Sequence, residues 1–142
     1  MKIYKPIFEA LITQMKSSVA SLKSVTRLKN EFENEGHYDP NPPEVFIRFD
    51  GTEPDSLIAS GKRGMVKISL TVFVVAYDAA EAKVLDVVEL VEDFLDGKKF
   101  VVSVTEGAVT QKFPFTITCG ASKLLGYMDG GQEVYTISAE LK

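Results

Sequence analysis

The chain has 142 residues, of which 45% are hydrophobic and 25% charged, the composition of one ordinary folded domain, which excludes disorder. A chain this long buries roughly two-thirds of the surface its unfolded form exposes, so it needs neither disulfides nor a structural metal. The formal charge of -4 argues against a protein that works by neutralising phosphates, and the single cysteine, Cys119, can form neither an internal disulfide nor a thiolate metal cage.

From Pro6 to about Leu22, the residues Phe8, Leu11, Ile12, Met15, Val19 and Leu22 recur at three- and four-residue spacings, which predicts an amphipathic helix with Pro6 at its first position. Glu9 and Gln14 interrupt this segment, so it is no apolar leader, and no apolar run approaches the ~20 residues that cross a bilayer. The chain reads as a cytoplasmic product without membrane insertion. Beyond Leu22 the pattern loosens through Lys23–Arg27 into a charged stretch ending at Gly36, which reads as a linker or frayed helix. Three prolines at positions 40, 42 and 43 then impose an extended loop.

Val45-Phe46-Ile47-Arg48-Phe49 predicts a short strand, with Asp50-Gly51 as a turn and a long polar loop from Gly51 to Gly64. Met65 to Tyr77 alternates, with Val66, Ile68, Leu70, Val72, Val74 and Ala76 on one side and Lys67, Ser69 and Thr71 on the other. Towards its end the second side also turns apolar at Phe73, Val75 and Tyr77, which implies cover from a neighbouring element or another subunit. A second helix is expected from Asp78 or a following alanine to about Asp96, its stripe formed by Val84, Val87, Val88, Val91, Phe94 and Leu95, with Gly97 as its stop. Strands are expected at 100–104, weakly near Val109, at 113–119 and at 133–141. The predicted fold is a single α+β domain over residues 1–142, with a mostly antiparallel sheet and two helices packed on one face.

No arrangement for covalent chemistry emerges. Gly61-Lys62-Arg63 lacks both the first glycine of a phosphate loop and the Ser/Thr after its lysine, and reads as the basic tip of a solvated loop. Gly120-Ala121-Ser122-Lys123-Leu124 lacks the second glycine of a nucleophile elbow. His37, near Asp39, has no partners at metal-ligand spacing and reads as surface. Cys119 reads as core filling. Asp86, Glu89, Glu92, Asp93 and Asp96 line the helix opposite its apolar stripe. They read as a solvated face, or as a repulsive surface towards something negatively charged.

Charge is segregated along the chain. Residues 1–30 carry six Lys/Arg and one acid, residues 31–60 eight acids and one Arg, and residues 78–96 seven acids and one Lys. A subunit polarised in this way can set its basic part on the acidic part of a neighbour and close into a ring, the alternative being plain solvated charge.

The order of these elements resembles the small tail-terminator, or tail-completion, proteins of long-tailed bacteriophages and prophages, including the Mu-like family. The resemblance spans nearly the whole chain: the helix Ile7 to Leu22, the strand Val45 to Phe49, the polar loop to Gly64, the strand Lys67 to Ala76, the helix Ala80 to Asp96, and the closing strand Glu133 to Ile137 after Leu125 to Gly131. It implies a non-enzymatic virion protein without cofactors, assembled in the host cytoplasm. Such a protein forms a homo-oligomeric, hexameric ring on the head-proximal end of the tail tube, stops tube growth and docks the head–tail connector. DNA passes through its acidic channel without sequence-specific binding. Contacts to the tube or to neighbouring subunits are expected in the loop 51–64 (Asp55, Lys62, Arg63), in the turn 126–131 (Tyr127, Asp129) and around Phe73, Val75 and Tyr77. The competing class is a small-molecule binder or enzyme with an enclosed apolar pocket, in which His37, Tyr38 and Cys119 would be the suspects.

Overall fold

The computed structural model describes residues 3–29, 40–54, 66–78, 83–128 and 130–142. Within them two helices and six strands follow in the order α1 (Tyr4–Ser18), β1 (Ser24–Arg27), β2 (Glu44–Pro54), β3 (Val66–Ala76), α2 (Val84–Leu95), β4 (Lys99–Glu106), β5 (Val109–Tyr127) and β6 (Glu133–Leu141). The strands form one sheet in the order β1-β2-β3-β6-β5-β4, with β1 parallel to β2 and every other pair antiparallel. The fold is α+β, as expected.

Alternation decides which side of the sheet meets the helices. In β3 the residues Ile68, Leu70, Val72, Val74 and Ala76 enter the main core, and Val72 lies directly between Ile47 of β2 and Ile137 of β6, all three fully buried. Ile7, Leu11 and Met15 of α1 and Val84, Val87, Val91 and Leu95 of α2 cover this face. Each such side chain stabilises the fold by about 1.5–3 kcal/mol relative to leaving it in water. The helix α2 packs on the middle strands β3, β6 and β5, whereas α1 touches both β1 and β4, the strands at opposite ends of the sheet. A flat sheet could not do this, so the sheet curls around α1.

The 19-residue β5 changes partner midway. Its first part pairs with β4 and its second with β6; the exchange falls at Thr116, which lies opposite Lys99 and trades hydrogen bonds of 3.1 and 3.2 Å with the backbone of Lys142. The two expected strands near Val109 and at 113–119 are therefore one.

Several expected boundaries move for identifiable reasons. The first helix begins at Tyr4, which makes Pro6 its third residue; the N–H that proline lacks is still one that has no intrahelical partner. It ends at Ser18 rather than Leu22. Val19 and Leu22 reach the core through a turn closed by Leu22 N–H to Val19 O at 3.1 Å, and Lys16 Nζ donates to Leu22 O at 2.6 Å. The expected linker or frayed helix after Leu22 contains β1. Lys23 N–H to Pro43 O at 2.8 Å and Leu28 N–H to Ile47 O at 2.9 Å extend its pairing, made with a segment about twenty residues away that local periodicity cannot reveal. Asp50-Gly51 is not a turn: β2 runs on to Pro54 through a bulge in which Phe49 and Gly51 face the successive residues Leu70 and Ser69. Residues 55–65, most of the expected polar loop, lie outside the described residues.

The second helix starts at Val84, later than expected, since Lys83 is still extended at φ -87° and ψ 142°. Asp78 nonetheless serves its N-terminus, its Oδ1 accepting the Val84 N–H at 2.9 Å from six residues upstream. The stop is where glycine predicts it: Asp96 leaves helical geometry and Gly97 takes φ 70°, which a side chain would strain.

Two substitutions test this account by urea unfolding. Ile137→Ala removes a fully buried side chain from the middle strand and should lower stability by about 3 kcal/mol. Asp78→Ala should lower it by about 1 kcal/mol, whereas Asp78→Asn, whose amide oxygen still accepts the Val84 N–H, should cost only a small part of that.

Candidate interaction surfaces

The face of the sheet turned away from the helices carries a second, smaller apolar cluster of Phe46, Phe73, Val75 and Val134, with Leu28 and Met128 against it. This accounts for the apolar turn of the second side of β3. Phe73 and Val75 were expected at an interface, yet they are 4% and 0% exposed within the single chain, so their burial needs no second subunit. Tyr77 and Tyr127 from the same expectation stand out into solvent, 51% and 69% exposed. Asp55, Lys62, Arg63 and Asp129 lie outside the described residues, as do His37, Tyr38 and Asp39.

Register places a polar row beside this cluster and a mixed row that runs through it. Arg48 of β2 lies opposite Thr71 of β3, which lies opposite Ser138 of β6; one step along, Phe46, Phe73, Thr136 and Lys123 form the next row, ending on β5. Except for Phe46, these residues floor a cleft of about 660 Å³ that is also lined by Leu28, Lys29, Ala121 and Leu125. The guanidinium of Arg48 is held in place from several sides: Nε donates to Asp50 Oδ1 at 2.6 Å, Nη2 to Thr71 Oγ1 at 3.4 Å, and the group lies 5.2 Å from the centre of the Phe73 ring. Thr71 also donates to Asp50. The bulge of β2 puts Asp50 at this spot, since it is the residue left without a partner on β3.

On the β5 side the hydroxyls are fixed to backbone. Ser138 Oγ donates to Ala121 O at 3.3 Å and Thr136 Oγ1 to Lys123 O at 3.5 Å. Here β5 bulges twice against β6, between Cys119 and Ser122 and between Leu124 and Gly126. The first bulge presses the strands so close at Gly120 that a Cβ there would sit 2.3 Å from Ser138 Oγ.

Cys119 belongs to the other side of the sheet. It packs at the margin of the main core, and burial, followed by the charges of Glu92 and Asp96 on α2, pushes its thiol above the ordinary range. The structure therefore does not bring Cys119 to the cleft. Tyr135 is raised likewise, by burial and then by Glu133, to whose Oε1 it donates at 3.4 Å.

Two exposed surfaces remain. At the end of the sheet where β3 stops and β5 turns towards β6, Tyr77, Leu124, Leu125 and Tyr127 are all substantially exposed, and residues 118–127 of β5 have β6 on one side and no described strand on the other. On α2 the outward positions are Asp86, Glu89 and Asp93, joined by Leu85 at 67% and Leu90 at 47% exposure. Glu92 turns inward and is half-buried. The leucines outside the 3.6-residue stripe were visible in the sequence as a departure from it. Arg48, a cation within an apolar strand, was visible too, whereas its union with Thr71, Ser138 and Lys123 depends on strand order.

Among the described residues no group of His, Cys, Asp and Glu is placed to hold a metal ion, and no helix is long and apolar enough to cross a membrane. The chain matches no family model and no curated protein.

The raised thiol gives a pH dependence with a definite sign. As pH rises past the usual thiol range, about 8.5, the unfolded chain loses the Cys119 proton before the folded one does. The folded state then binds more protons, so stability falls with pH. Urea midpoints at pH 7 and 9.5 should accordingly drop further in the wild-type chain than in Cys119→Ser.

Proposed function

We propose that this protein is a structural subunit of a phage-type tail, which closes as a ring on the head-proximal end of the tail tube, stops further tube growth and offers the head–tail connector its docking surface. The observation that carries this reading is the apolar end of the sheet. Leu124, Leu125 and Tyr127 are exposed on the part of β5 that has no described strand along its outer edge, and Tyr77 is exposed at the end of β3, a combination that supports a role in meeting protein. The order of elements that resembles tail terminators supports the same reading.

In this proposal the work is geometric and no bond is made or broken. The two bulges and Lys123 interrupt the free edge, so it cannot template an endless ladder; a neighbour meets apolar side chains at a fixed angle instead. The ring stacks on the last tube subunits and presents a far surface on which another tube ring cannot add. DNA traverses the ring without sequence-specific contact, in keeping with the net charge of -4. The protein would act in the host cytoplasm during assembly and then in the virion tail.

The 660 Å³ cleft favours a second reading, a small-molecule binder, with Arg48, Thr71 and Ser138 as its polar contacts. Light scattering coupled to size exclusion, with and without tail-tube subunits, separates the two. The tail reading expects a closed ring or tubes capped at fixed length. A monomer that neither binds nor caps tubes, and that takes up a small ligand, would sink it. Leu125→Lys combined with Tyr127→Lys should weaken assembly roughly tenfold or more while leaving the circular dichroism spectrum unchanged.

A further inference from the structure

The outer face of α2 conflicts with its surroundings. It carries Asp86, Glu89 and Asp93 without a single lysine or arginine on the helix, and none of the three forms an ion pair among the described residues. Asp93 stands in the last turn, beside the negative end of the helix dipole, where a carboxylate is disfavoured. Leu85 and Leu90 expose apolar surface on either side of these charges, which a merely solvated or repulsive face does not call for. A partner that is both cationic and apolar relieves all three conflicts at once.

The cleft on the opposite side of the sheet has that chemistry. Lys29, Arg48 and Lys123 line it together with Leu28, Phe73 and Leu125. Asp50, a carboxylate at its rim, is engaged by Arg48, and Lys123 has no carboxylate partner among the described residues. Its floor crosses four strands, about 14 Å at the usual strand spacing. A ridge along α2, whose twelve residues span about 18 Å, fits that dimension.

We propose that the acid-and-leucine face of α2 from one copy seats in the cleft of the next copy, head to tail. Because the two patches lie on opposite sides of one sheet, the contact is heterologous: each copy uses both patches, and the series continues until it closes as a ring or grows as a filament. The contact deepens the ring-forming reading above and rests on it for closure alone.

The test is charge reversal with complementation, read as mass by light scattering at low salt, where screening is weakest. Glu89→Lys/Asp93→Lys makes the ridge basic, and Lys123→Glu makes the cleft more acidic; all three residues are exposed, and thermal melts establish that each variant folds. The wild-type chain should assemble, and each variant alone should assemble roughly tenfold or more weakly. An equimolar mixture of the two should recover assembly, because the basic ridge then meets a cleft stripped of its positive excess and wild-type ridge meets wild-type cleft in alternation. Variants that assemble like the wild type, a mixture that recovers nothing, or a wild-type chain that stays monomeric at millimolar concentration would each overturn the contact. Adding tube subunits keeps this result apart from the tail reading. Complementing variants that fail to cap tubes retain the contact and remove the tail function; tubes capped without complementation do the reverse.

Discussion

The architecture depends on one helix being gripped from two sides. The α1 stripe of Ile7, Leu11 and Met15 is almost wholly removed from water, and the strands that enclose it, β1 and β4, are the two ends of the sheet. Burial of that stripe is what makes curling favourable, and curling in turn fixes where everything else lies. The middle strands are left for α2, and the hairpin of β4 and β5 is swung round to meet α1. Phe49 joins the same seam from β2, its ring 5.3 Å from that of Tyr4 and 5.9 Å from that of Phe8.

The sheet uses its two faces differently. On the helix side, alternation produces a continuous aliphatic layer in which Val72 is flanked by Ile47 and Ile137. On the far side the apolar layer is confined to Phe46, Phe73, Val75 and Val134, and gives way one step along to Arg48, Thr71 and Ser138. Bulges decide this second face. The extra residue of β2 brings Asp50 to Arg48, and the first extra residue of β5 draws Gly120 against Ser138. A bulge leaves the core pattern intact while re-aiming a few side chains, which is how a regular sheet acquires a shaped polar cleft.

Elements governed by local spacing were legible from the chain itself. Every second residue of the strands at 66–76 and 133–141 is apolar on one side and the α2 stripe repeats every three or four residues, so their type and inward face follow from periodicity. What depends on distant pairing was not. The strand β1 is four residues long with one fully inward side chain, Val25, and exists because β2 lies beside it. Asp50-Gly51 has turn chemistry and becomes a bulge because β3 continues alongside. The Asp78 cap acts across a gap of six residues where local rules look one to three away. Of the candidate contact residues, Tyr77 and Tyr127 are exposed as an interface requires, while Phe73 and Val75 resemble exposed apolar positions only until Phe46 and Val134 are seen to flank them.

The position of β6 ties the maturation of the surface to the completion of the fold. This strand is synthesised after every other described element, yet it lies between β3 and β5 and supplies Thr136 and Ser138 to the cleft floor. Until it inserts, β3 and β5 are two separate sheet fragments with unsatisfied edges, joined only by contacts of long sequence separation, which are slow to form. A nascent chain therefore has neither its finished core nor its cleft, and it acquires both in the same event. Formation of the cleft is thus gated by the insertion of β6: a chain in which this strand is missing or unpaired cannot present that surface.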